Sequence, residues 1–237
     1  MEIVGVAKSV LRYLRAHIIT QDFAPGQKLT EVEIASRLGV SRPPIREAFR
    51  ILENEHLVSS TPRIGCFVTP MSVKDCRDIY KVRTMIECFA VDEIESKEIK
   101  KLDEVRDALE ATAELPPPRE NDAFEKYEYL RAIAEFHIRL VELSGNTRLV
   151  ELYKAIFPSL ARYQSLYTYI PGLMDESYVE HKDILRLIDT GEYHNAKERL
   201  KTHINKFIEI IKDRLQEPGE LQQEQSRIRQ STTSFGG

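Results

Sequence analysis

The chain has 237 residues, of which 42% are hydrophobic and 30% charged, and its net charge at pH 7 is −4. This suits one large or two modest globular domains and excludes a chain that is disordered throughout or basic all over. No apolar run approaches the roughly 20 residues that a bilayer requires. Lys8, Arg12 and Arg15 interrupt the apolar pattern at the N-terminus, so neither a membrane association nor a signal peptide is expected.

Cys66, Cys76 and Cys88 form no CxxC pair and are odd in number, which argues against a disulfide framework or a cysteine zinc site. A reducing, cytoplasmic compartment is expected. Charge is unevenly spread, with nine Lys/Arg against seven Asp/Glu in residues 1–72 and 25 against 31 in the rest. Because the arginines of the first segment are concentrated in one helix and one turn, an acidic protein can still carry a local positive footprint.

In chain order, Val10, Leu11, Leu14, Ile18 and Ile19 keep helical spacing until the turn FAPGQKL, where Pro25 and Gly26 end the pattern. TEVE is a capping box that starts a second helix at Thr30, with Glu33 three residues on. Gly39 suits the left-handed position that closes it. SRPPIREAFR opens a third helix, since prolines are tolerated only in a first turn, where the N–H would be unpaired. Ser41 is the expected N-cap, its hydroxyl taking a free N–H of that turn. HLVSS and CFVTP, separated by TPRIG, predict a hairpin.

Six further helices are predicted over about 73–95, 98–113, 120–143, 147–169 with a kink at Pro158, 175–189 and 192–215. The breakers between them are short, as in an antiparallel bundle, and Asn146 is read as a cap. The expected fold is mainly α: an N-terminal winged helix-turn-helix of three helices and a small β-hairpin over 1–72, then an all-α antiparallel helical bundle over 73–216. Residues 217–237 lack apolar periodicity and are expected to be disordered.

A capped helix, a glycine-containing turn and a second helix opening on arginines is the helix-turn-helix pattern. Its second helix enters the major groove by the N-terminal end, which brings Ser41, Arg42, the two prolines and Arg46 nearest to base edges and phosphates. An arginine fork there matches guanine or a phosphate. Arg50 lies two turns in and suits a phosphate or an ion pair. Arg63 belongs at the wing turn, with Gly65 letting the main chain approach DNA. The competing reading is a solvated arginine face paired with Glu47 or Glu53.

LTEVEIASRLGVSRPPIREAF followed by LENEHLVSSTPRIGCFV resembles the winged-helix domain of GntR-type bacterial transcription regulators over residues 5 to about 70. The resemblance implies Arg42 and Arg46 as principal operator contacts and Arg63 with Gly65 as the wing contact. Val32 stands where some members of the FadR branch carry a DNA-reaching arginine. Residues 73 to about 215 resemble the all-helical ligand-binding domain of that branch, through YKVRTMIE, FHIRLVELSGN, EHKDILRLIDTGE and THI.

Spacing places His137, His181 and His203 on apolar helix faces, where they are either unrelated core histidines or ligands of one divalent ion. The resemblance implies a metal site with an aspartate four residues before the first histidine; here that position is Ile133. A three-histidine site for zinc, nickel or manganese would remain, completed by water or an effector carboxylate; without a metal, the histidines would serve as donors to an acidic ligand. Arg83 reads either as a bidentate partner for that carboxylate or as an i, i+4 ion pair with Glu87.

The expectation is a non-enzymatic transcriptional repressor that binds a palindromic operator in double-stranded DNA as a homodimer, modulated by a small organic acid. Two rivals are a metal-dependent hydrolase on a three-histidine bundle, unsupported by any HExxH or nucleophile elbow, and a ligand-binding or scaffold protein whose winged helix contacts protein.

Overall fold

The computed structural model describes residues 2–216; the expected disorder of 217–237 lies outside them. Helix α1 (Glu2–Ile19) ends where Gln21 takes a left-handed φ of 63°, before the Pro25-Gly26 turn is reached. Helix α2 (Glu31–Leu38) begins as its capping box requires: the Thr30 hydroxyl accepts from Glu33 N–H at 3.2 Å and donates to the Glu33 carboxylate at 2.7 Å. It ends at Gly39, whose φ of 65° costs a glycine little.

Helix α3 (Arg42–Asn54) starts at Ser41, but the serine hydroxyl makes no capping bond. The expectation of such a bond is corrected by the sequence itself. An N-cap side chain accepts from the second or third helical N–H, and those positions are Pro43 and Pro44, which have none. Pro44 is buried with Ile45, Ala48, Phe49 and Leu52, whereas Arg42, Pro43, Arg46 and Arg50 face outward.

The wing is larger than predicted. Strands β2 (Val58–Thr61) and β3 (Gly65–Val68) form the expected hairpin, with Thr61 opposite Gly65. A two-residue strand β1 (Lys28–Leu29) joins the other edge of β3, so the sheet is three-stranded in the order β1-β3-β2. Two residues carry no period that a sequence pattern could show.

The bundle comprises α4 (Val73–Ser96), α5 (Asp103–Ala113), α6 (Ala123–Leu143), α7 (Thr147–Gln164), α8 (Leu173–Asp189) and α9 (Tyr193–Gln216). The cap residues are those that can accept first-turn N–H groups: Ser72 for α4, Asp122 for α6 and Asn146 for α7. Helix α5 starts five residues later than predicted, after Glu98 takes a φ of 51°. Helix α7 runs through Pro158 but stops at Gln164, short of the expected 169.

In the bundle α4 lies against α9, α6 and α7, and α8 lies between α9 and α5. Helix α1 packs on α3 and also on α6 and α7. The core of the winged helix therefore continues without a break into the bundle: Leu14, Ile18, Ile45 and Leu52 share one apolar cluster with Tyr127, Leu130, Phe157 and Ala161. Polar bonds line the same junction, where the Arg15 guanidinium binds the Glu55 carboxylate, and Ser159 Oγ donates to the Glu55 carbonyl at 3.0 Å.

Candidate nucleic-acid interface and buried histidine site

Between α3 and the wing lies a concave surface of about 780 Å³. Lys28, Arg42, Arg46, Arg50 and Arg63 line it, against the carboxylates Glu31 and Glu53. The α3 N-terminus opens on the same side, so its unpaired dipole end adds to the positive field. Of the sequence-selected residues, Arg42, Arg46, Arg50, Arg63 and Gly65 all meet here, and Ser41 stands exposed at the helix start with its hydroxyl free of any capping bond.

Local geometry sets the wing. Ile64 N–H donates to Thr61 carbonyl at 3.1 Å, and Arg63 carries a φ of 65° at the third turn position, after Pro62. Gly65 has a φ of 137°, and a β-carbon there would lie 2.8 Å from Lys28 Cε. The Glu53 carboxylate accepts from Ser60 N–H at 2.9 Å and so braces the wing against α3.

Arg46 is held by neither Glu47 nor Glu53. Its Nε donates to both oxygens of Glu31, each at 2.8 Å, while its side chain remains 64% exposed. Lys28 and Glu31 were not selected from the sequence. The signal for Lys28 was hidden because β1 is too short to recognise; Glu31 looked like an ordinary first-turn acid. Val32, 55% exposed, adds an apolar side chain to the groove edge.

The second site is buried. His137 on α6, His181 on α8 and His203 on α9 are all buried, and each offers a nitrogen within 4.8 Å of the others. Glu87 Oε2 lies 2.8 Å from His137 Nδ1, and Glu180 Oε2 lies 2.7 Å from His203 Nδ1. A carboxylate only accepts, so each Nδ1 carries the hydrogen and each Nε2 presents a lone pair. His181 Nε2 is 3.0 Å from His203 Nε2, a geometry in which His181 donates to that lone pair. With the hydrogen moved to its Nδ1, His181 offers a third lone pair to the same point. Carboxylates behind two of three imidazoles are the arrangement that orients metal-binding histidines.

Burial lowers all three imidazoles: His203 falls to about 4, His181 well below the usual histidine value, and His137 less, because Glu87 opposes the shift. They are therefore neutral near pH 7, the form a metal requires. Burial alone would raise the Glu87 carboxyl, but His137 and Arg83 beside it bring it down to about 2. The same contest, with His203 and Lys206 as partners, brings Glu180 to about 2.

Arg83 sits beside the triad, 1% exposed. Its Nε donates to Glu87 Oε1 at 2.7 Å, and Tyr153 donates to the same oxygen at 3.0 Å. The ion-pair reading of Arg83 is thus the one the geometry displays, although among the described residues its terminal nitrogens meet no hydrogen-bond acceptor. Ile133, one turn before His137, is half-buried against the apolar cluster shared with the winged helix. It offers the triad no ligand atom.

Comparison with known proteins agrees with both halves. Residues 6–68 match the model for bacterial regulatory proteins of the gntR family, and residues 78–206 match that for the FCD domain. The HTH-type transcriptional regulator YdhC of Bacillus subtilis is 30% identical over 213 residues, 86% of this chain and 90% of that protein. The chain is a GntR-family transcriptional regulator with an FCD domain. Another relative of this GntR regulator, a D-xylose utilization operon transcriptional repressor of Paenarthrobacter nicotinovorans, is 26% identical over 86% of this chain and 87% of its own length. A solved GntR regulator from Rhodococcus sp. RHA1 superposes with a TM-score of 0.68 at 26% identity, covering 86% of this chain and 96% of that one. The family is one of DNA-binding regulators and not of enzymes, so the hydrolase reading is set aside, and the α-rich winged-helix architecture is that of its solved members.

Arg83→Met keeps an unbranched apolar stem but removes the guanidinium, leaving the Glu87 carboxylate buried with only neutral partners. A loss of about 3–5 kcal/mol is expected, as for other broken buried pairs, measured by urea unfolding of the full chain.

Proposed function

We propose that this GntR regulator binds a palindromic operator as a homodimer and represses from it, under the control of a small carboxylate effector and a divalent metal held in the FCD domain. The observation that carries the DNA part is the groove, where four arginines and a lysine converge with the α3 N-terminus on one concave face. Ser41, Arg42 and Arg46 are assigned to base edges and adjacent phosphates, Arg50 to a phosphate, and Arg63 with Gly65 to the wing contact.

Dimerisation is supported by α4, which leaves Val82, Met85 and Phe89 exposed at i, i+3, i+7 spacing along one face. A second copy meeting the same stripe would satisfy two-fold symmetry, as a palindromic site requires. No described helix is long and apolar enough to cross a membrane, and we place the protein in the cytoplasm with its DNA.

His137, His181 and His203 fit a zinc, nickel or manganese ion as three neutral imidazoles. Such an ion would supply a positive centre for an anionic oxygen at the positions that Ile133 leaves to water or effector. The effector's carboxylate is assigned to the terminal nitrogens of Arg83, in the bidentate manner arginine favours. Effector control then requires different effector affinities in the operator-competent and incompetent arrangements.

Arg46→Ala is expected to weaken binding to the operator, isolated by selection from randomised duplexes, by about 1–3 kcal/mol and to reduce the salt slope by about one. Sedimentation should show the dimer unchanged. An unaltered mobility shift at matched salt would remove this reading of the groove. In calorimetric titrations with zinc or nickel, chelator-treated protein should take up one ion per chain, and His181→Ala should take up none. Glu180→Ala, which frees the His203 ring, should bind about 10- to 100-fold more weakly.

A further inference from the structure

The groove contains one contact that an interface built only for phosphate affinity would avoid. Glu31 puts a carboxylate on a surface that must receive a polyanion, and it does so against Arg46, a DNA-facing arginine of α3. We propose that Glu31 is a positioning residue for base readout, which aims Arg46 at a base edge and lowers the protein's affinity for DNA of arbitrary sequence. The proposal rests on the assignment of this groove to DNA.

Three observations carry it. Both Glu31 oxygens approach the same nitrogen, Arg46 Nε, at 2.8 Å. A guanidinium held through Nε keeps its two terminal nitrogens free, and that end is the fork that matches guanine O6 and N7. The Glu31 side chain is 30% exposed against 64% for Arg46, so the carboxylate lies deeper and the arginine stands above it, toward the open side of the groove.

The Thr30 capping box starts the helix that carries Glu31, which sets the carboxylate at the first helical position of α2. Arg46 projects from α3, across the turn closed by Gly39. Each half of the motif thus supplies one partner, and the inter-helix geometry determines where the fork points. An arginine without this restraint would sample rotamers and settle on whichever phosphate is nearest, raising affinity for every sequence alike.

Glu31→Gln removes the charge and keeps the shape. The experiment measures affinity of the full chain for the selected operator and for a mixed-sequence duplex at one salt concentration. The expected result is a fall in the specific-to-nonspecific ratio of at least about fivefold, the lower end of what one arginine–guanine pair contributes, with binding to the mixed-sequence duplex unchanged or tighter. A fall of both affinities by the same factor would mean that Glu31 only supports the fold, and no change in either would mean that the pair is incidental; each overturns the proposal. Because Glu31 also favours the α2 N-terminus, the cycle is closed with Arg46→Ala. In that background Glu31→Gln should leave the ratio where Arg46→Ala put it, and an additive effect would show that Glu31 does not act through Arg46.

Discussion

The bundle is organised around one buried charge. Glu87 has no exposed surface, and an ionised carboxylate in that position is sustainable only if its oxygens are answered by donors. Arg83 and Tyr153 share one oxygen and His137 takes the other. Those partners come from α4, α6 and α7, so satisfying one carboxylate fixes three helices relative to one another. It also settles which nitrogen of His137 faces the other two histidines. The site is in this sense a product of bundle assembly, and the orientation of its first imidazole is inherited from an ion pair.

Helix α7 extends that connection to the DNA-binding half. Tyr153 reaches Glu87, and six residues along the same helix Ser159 reaches the carbonyl of Glu55, just past the end of α3. Further on, the Tyr163 hydroxyl donates to Asp75 at 2.7 Å, in the first turn of α4 after the linker. Pro158 lies between the first two of these contacts and removes one hydrogen bond of the helix, while the apolar cluster shared with α1 packs against the same stretch through Phe157 and Ala161. One helix thus touches both the buried carboxylate and the end of the recognition helix.

Much of this was legible in the sequence, for identifiable reasons. Capping boxes, left-handed glycines and prolines act locally, so the order of elements and the helix-turn-helix could be read from a few residues each. The outward arginine face of α3 followed from its spacing, and the apolar neighbours of His137, His181 and His203 correctly placed all three imidazoles inside. What could not be read were contacts between distant segments. Glu31 with Arg46, Glu180 with His203 and Ser159 with Glu55 join residues whose separation carries no periodic signal. One miss was avoidable: the Ser41 hydroxyl could never have capped α3, because both candidate donors are prolines, and this was written in the sequence from the start.

Ile133 gives that long-range connectivity a different meaning. Its side chain packs into the apolar cluster that joins the winged helix to the bundle, one turn from the first histidine of the triad. A carboxylate in its place would bring a charge to the edge of that seam, where it would need a partner. The isoleucine keeps this edge apolar. Position 133 thus serves cohesion between the two halves and adds no charge beside the histidines.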